Sequence, residues 1–144
     1  MRVAEIYAEL SYAKRKKVGC VIVKDDRIIS IGYNGTPAGW DNEGEYRILW
    51  KNGKQLPSPV LITKPEVLHA ETNAIAKLAS STDSGEGAAL FLSSSSPCMD
   101  CAKLIYQAGI KEVYYKESYK IEDGITFLKK AGVKIEQFKM EYQY

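Results

Sequence analysis

The chain has 144 residues, 45% of them hydrophobic and 26% charged, with a formal charge of +2 at pH 7. That balance suits one globular domain over residues 1–144 with its own core, and so small a charge does not argue for nucleic-acid binding. No apolar stretch approaches the roughly 20 residues a membrane-spanning helix needs. The N-terminal segment carries Glu5 and Glu9 and lacks the apolar core of a signal peptide. Three cysteines do not make a disulfide framework, so a cytoplasmic location is expected.

Residues 3–13 space Val3, Ile6, Tyr7 and Leu10 as a helix does. The basic run Lys14-Arg15-Lys16-Lys17 reads as the solvated end of that helix, where cations suit the dipole. Val18 to Lys24 is expected to be a buried strand holding Cys20 as a small hydrophobe, Asp25-Asp26 a turn, and Arg27 to Gly32 the second arm of a hairpin. Residues 33–67 are rich in Gly, Pro and Asn and also hold Trp40, Tyr46 and Trp50. They read as an ordered insert with a short helix around Glu45–Lys51 and with both tryptophans packing it. Loops of that length in compact domains are often functional. Next come a helix over His69 to Ala79, a strand over Ala88 to Leu92, and a helix opened by Pro97. A strand over Lys111 to Lys116, a helix over Ile121 to Ala131 closed by Gly132, and a strand over Val133 to Phe138 complete the chain. The order αββαβαβαβ predicts an α/β fold whose five-stranded mixed sheet has helices on both faces. A helix separates the last two strands, which should therefore lie parallel.

Two of the predicted helices open on chemistry. The first begins His69-Ala70-Glu71 and the second follows Pro97-Cys98-Met99-Asp100-Cys101. Together they offer one imidazole, two thiols and a carboxylate. A structural zinc needs four protein ligands, whereas a catalytic zinc takes three and keeps a position open for water. The chain has one His and three Cys, and Cys20 sits in an apolar strand, so a three-ligand site of His69, Cys98 and Cys101 is the one it can assemble. H-x-E followed by P-C-x-x-C is the pattern of zinc deaminases that act on nucleobases. Helix N-termini favour thiolate at Cys98 and Cys101. Glu71 stands close enough to shuttle protons without occupying the metal.

The chain resembles the deoxycytidylate (dCMP) deaminases, and its length is similar to that of bacterial and phage members. The likeness rests on Gly32-Tyr33-Asn34-Gly35-Thr36-Pro37, on His69-Ala70-Glu71-Thr72-Asn73-Ala74-Ile75, on the Pro97 to Ile105 segment, and on Gln107-Ala108-Gly109-Ile110-Lys111-Glu112-Val113. It implies a three-layer αβα sandwich, one catalytic Zn²⁺ per chain, and conversion of dCMP to dUMP for thymidylate synthesis. It implies a homo-oligomer, commonly a hexamer, activated by dCTP and inhibited by dTTP, with Mg²⁺ accompanying the triphosphate. Asn34 is expected to bind the nucleoside and the Ala70 backbone N–H the base carbonyl. Tyr119, just after a strand, is expected near the base or phosphate. An effector site is expected at the Gly32-Tyr33-Asn34-Gly35 loop with Lys24 or Arg15, the two glycines giving the loop two discrete shapes. Thr72 stands where a larger apolar residue is more usual. Other substrates (cytidine, guanine or a tRNA adenosine) and a non-catalytic zinc or nucleotide module are the competing readings. A second, structural zinc is not expected, because residues 21–68 hold no Cys or His.

Overall fold

A computed structural model describes residues 1–118 and 120–139. Its central sheet holds five strands in the order β2-β1-β5-β6-β7: β1 (Gly19–Lys24), β2 (Arg27–Tyr33), β5 (Ala89–Ser95), β6 (Glu112–Glu117) and β7 (Lys134–Gln137). β2, β1 and β5 are antiparallel neighbours, whereas β5, β6 and β7 run parallel. The sheet is therefore mixed, and its last two strands are parallel as their helical crossover requires. Asp25 and Asp26 close the first hairpin, both at positive φ (50° and 58°), the backbone of a two-residue turn that matches strand twist.

Side chains alternate across a strand, and the alternation separates two layers. Ile22, Leu90, Val113 and Ile135 form one row across β1, β5, β6 and β7. That row is buried with Ala70, Ala74 and Leu78 of α2 (Ala70–Ala79), with Ala102 and Ile105 of α3 (Met99–Gln107), and with Ile125 and Leu128 of α4 (Asp123–Lys130). The opposite face carries Val21 and the stacked pair Phe91 and Tyr114, whose ring centroids are 5.1 Å apart.

Two glycines set how closely the layers approach. A Cβ on Gly19 would overlap the Ala4 carbonyl of α1 (Arg2–Ala8), and one on Gly32 would lie 2.5 Å from the Ala74 nitrogen of α2. Gly32 pairs with Cys20, one residue beyond Gly19, so the two face opposite sides of the sheet. Helices α1 and α2 consequently sandwich it.

Two expectations are corrected here. Helix α1 ends at Ala8 and buries Ala4 and Ala8, while Val3, Ile6 and Leu10 stay exposed. Backbone contact at Gly19 admits only small residues, which overrides the apolar stripe. The helix expected around Glu45–Lys51 is a strand, β3 (Glu45–Lys51), paired antiparallel with β4 (Lys54–Thr63) in a separate two-stranded sheet. Asn52 and Gly53 turn it, both at positive φ (51° and 73°). Pro57 and Pro59 are tolerated because β4 has no neighbour on its outer side. Trp40 and Trp50 do not pack this insert; each is 60% exposed. No helix among the described residues is long and apolar enough to cross a membrane.

Candidate active site

The two helices that open on chemistry meet at the C-terminal end of β5. His69 is the N-cap of α2 and Cys98 the N-cap of α3, and neither side chain caps its own helix. The imidazole and the thiol are left free for another partner. His69 Nδ1 lies 3.6 Å from Cys98 Sγ and 3.4 Å from Cys101 Sγ. A tetrahedral zinc, with Zn–N of about 2.0–2.1 Å and Zn–S of about 2.3 Å, separates N from S by about 3.6 Å. The three donors therefore fit such an ion, and they are the one metal-competent cluster found among the described residues.

The electrostatics agree. Hydrogen bonds from Cys101 and then His69 pull the Cys98 thiol down to about 4. Cys101, bonded to that thiolate and buried, keeps its proton above the usual thiol range. The bond with Cys98 also raises His69 above its ordinary value. A divalent cation would displace the remaining protons and take both sulfurs as thiolates. Thr72 Oγ1 lies 3.5 Å from Cys101 Sγ, so the departure noted in the sequence places a hydroxyl on the buried ligand.

Glu71 is 5% exposed, and burial raises its carboxyl above the usual range. It lines a cleft of ≈ 690 Å³ together with His69, Ala70 and Cys98. A buried carboxyl of this kind, two residues from a candidate ligand, suits proton transfer.

The other expected residues divide. Asn34 lines the cleft, but its side chain is already engaged: Oδ1 accepts Val18 N–H at 2.9 Å and Nδ2 donates to Lys16 O at 2.8 Å. One amide N–H is left for a ligand. Tyr33, Gly35 and Arg15 also line the cleft. Lys24 does not join them. Gly19, at the start of β1, pairs with Tyr33, whereas Lys24 ends that strand opposite Arg27, and its Nζ donates to Ser84 O at 3.4 Å. Tyr119 lies outside the described residues.

The expected glycine freedom of the Gly32–Gly35 loop is corrected as well. Gly32 is part of β2, and its missing Cβ serves the contact with α2. Neither Gly32 nor Gly35 has positive φ. Gly35 exchanges two backbone hydrogen bonds with Leu68, at 3.1 and 2.8 Å, and the Asn34 carbonyl accepts from Ser11 Oγ at 2.7 Å.

Several cleft residues escaped the sequence reading. The basic run is not a helix end, since α1 stops at Ala8; Lys16 joins the expected Arg15 in a loop along the cleft. Glu45, at the base of the insert hairpin, accepts the N–H groups of Lys14 (2.8 Å) and Arg15 (3.3 Å), and Arg15 donates to Thr63 at 3.1 Å. The hairpin is thereby tied to the cleft wall. Lys77 Nζ sits 5.4 Å from the centroid of the Tyr33 ring. Asn73, one helical turn after His69, donates to Tyr33 O at 3.0 Å. That i, i+4 spacing was the signal available for Asn73.

The chain is similar to known proteins. Residues 1–117 match the family model described as the cytidine and deoxycytidylate deaminase zinc-binding region. A deoxycytidylate deaminase from Homo sapiens is 37% identical over 145 residues, covering 96% of this chain and 76% of its relative. One from Saccharomyces cerevisiae is 36% identical over 142 residues; the match covers 96% of this chain but only 43% of that protein. The crystal structure of dCMP deaminase from the cyanophage S-TIM5, in complex with dCMP and dUMP, superposes with a TM-score of 0.78 at 41% identity, covering 95% of this chain and 92% of that one. With three metal donors converging beside a buried glutamate on this fold, the chain belongs to the cytidine and deoxycytidylate deaminase zinc-binding family.

Proposed function

We propose that this chain catalyses the zinc-dependent hydrolytic deamination of dCMP to dUMP and ammonia. The observation that carries the reading is the convergence of His69 Nδ1, Cys98 Sγ and Cys101 Sγ beside the buried Glu71 in one cleft. The cyanophage relative, bound to dCMP and dUMP, supports the choice of nucleotide.

His69, Cys98 and Cys101 would hold the zinc. When bound, zinc lowers the pKa of water toward about 7. The remaining work falls to the chain. Glu71 takes a proton from the attacking water and delivers it to N3 of the cytosine ring; it then takes the second proton from the hydroxyl now on C4 and gives it to the exocyclic nitrogen, which leaves as ammonia while the C4 carbonyl forms. The Ala70 N–H, first in α2 and without an intrahelical acceptor, orients the base carbonyl. The free amide N–H of Asn34 meets the sugar or base, and Tyr119 meets the base or phosphate.

The finer reading adds regulation and assembly. In it the chain forms a homo-oligomer, a hexamer, in which dCTP activates and dTTP inhibits, each triphosphate accompanied by Mg²⁺. The effector site uses the Gly32–Gly35 loop with Arg15, both at the cleft wall. The test is ammonia release from a panel of dCMP, dCDP, CMP, deoxycytidine, guanine and tRNA, with dCMP saturation repeated with dCTP and with dTTP. Selective turnover of dCMP is expected, sigmoidal alone, hyperbolic with dCTP, and shifted to higher substrate with dTTP. Turnover of another compound in preference to dCMP would overturn the substrate. A hyperbolic curve unmoved by either triphosphate would remove the regulation.

A further inference from the structure

The exposed aromatic rings are unequally placed. Of the large apolar side chains exposed among the described residues, Tyr12 and Trp40 line the cleft and the others lie elsewhere. They are 65% and 60% exposed, so neither is spent on the core. Trp50 is as exposed as Trp40, but it sits near the end of β3, outside the cleft.

Trp40 is held in its place by the backbone around it. Its loop follows β2, starting at Gly35, which is bonded to Leu68, and it ends at Gly44, whose carbonyl accepts the Lys64 N–H at 2.9 Å. Both partners lie in the segment that leads into His69. Between these ties the loop folds on itself. Trp40 N–H donates to Pro37 O at 3.1 Å, Thr36 Oγ1 donates to Asp41 O, and Gly39 takes a positive φ of 85°. A turn pinned in this way presents a large indole to the cleft that holds Glu71 and His69, and leaves most of it in solvent. The flat face of a pyrimidine nucleoside is complementary to that indole. Covering it with a ligand also excludes bulk water from the reacting end of the cleft. We propose that Trp40 is a substrate-contacting residue whose indole packs against the bound pyrimidine nucleotide at the mouth of the cleft. This inference rests on the deaminase reading above.

The chain has two tryptophans, so the emission of each can be read alone. In Trp50→Phe the remaining emission belongs to Trp40, and a saturable change on adding dUMP is expected. In Trp40→Phe the remaining emission is expected to stay constant. Steady-state kinetics compares wild type with Trp40→Ala and Trp40→Phe. Trp40→Ala is expected to raise KM for dCMP about tenfold while kcat changes little, with zinc content and Tm unchanged. Trp40→Phe, which keeps an aromatic face, is expected to recover most of that loss. If wild type prefers another compound of the panel, KM is read with that compound and emission with its product. Three results each overturn the inference and leave the deaminase reading standing: an alanine variant within about twofold of wild-type KM, Trp40 emission unmoved at product concentrations that inhibit turnover, or a Tm lowered by several degrees, which would give the ring a role in the fold. A wild-type chain that releases ammonia from no compound, while Trp40 emission still responds to dUMP, overturns the deaminase reading alone. Absence of both responses overturns both.

Discussion

Thr72 Oγ1 lies 3.5 Å from Cys101 Sγ, so the residue after Glu71 reaches across from α2 to the buried thiol on α3. Outer partners of this kind commonly change metal affinity about 10–100-fold when removed. Thr72→Val, close in shape but without the hydroxyl, is expected to lose zinc to a chelator at a correspondingly lower concentration. Thr72→Ser should behave as wild type. Equal zinc retention in the valine variant would show that the hydroxyl does not support the ligand.

Glu71→Gln keeps the volume of the buried side chain and removes its proton transfer. Turnover of dCMP is expected to fall about 10²–10⁴-fold, with one zinc still bound per chain. Burial disfavours the carboxylate, so the neutral amide should not lower Tm. A variant retaining more than about a tenth of wild-type turnover would remove Glu71 from the proton path.

Asn34→Ala tests two roles at once. Removing the amide leaves the Val18 N–H and the Lys16 carbonyl without their side-chain partner. A donor orphaned in this way costs about 1–3 kcal/mol, so denaturant unfolding should move to a lower midpoint. If Asn34 also binds substrate, catalytic efficiency toward dCMP falls below that of other variants equally destabilised. Unchanged efficiency would confine Asn34 to holding the loop.

The two glycines of the Gly32–Gly35 loop should respond differently to alanine. At Gly32 the new Cβ would overlap the Ala70 carbonyl and press on Ala74, forcing apart β2 and the helix that carries Glu71. Overpacking of this kind costs about 1–3 kcal/mol, and loss of activity should accompany the fall in Tm. At Gly35 no atom lies within 4 Å of the added Cβ, so Gly35→Ala should fold with wild-type stability. Equal Tm values for the two variants would contradict this assignment.

Much of the site was legible because its signals are short-range. The spacing of His69 to Glu71 and of Cys98 to Cys101 places each set on the first turn of one helix, where local geometry already dictates which groups can converge. The hairpin at Asn52-Gly53 was equally legible and was missed. That dipeptide, with both residues at positive φ, is a strong short-range turn signal, but the apolar run Ile48-Leu49-Trp50 does not by itself separate strand from helix. Lys24 was expected with the Gly32–Gly35 loop, but strand register puts it at the opposite end of the hairpin from Tyr33.

By itself, the sequence determined which three donors form the metal-competent cluster, the glutamate beside them, the parallel pairing of the last two strands and the mixed sheet, because residue type, helix starts and connection length suffice for these. Only the tertiary structure decided that Asn34 is spent on the Lys16–Val18 segment. It also decided that alanines rather than Val3, Ile6 and Leu10 face the sheet. Each of these depends on which backbone atoms approach across the sheet. Hydrogen-bond partners and close contacts between segments distant in sequence are set by packing, and no local pattern encodes them.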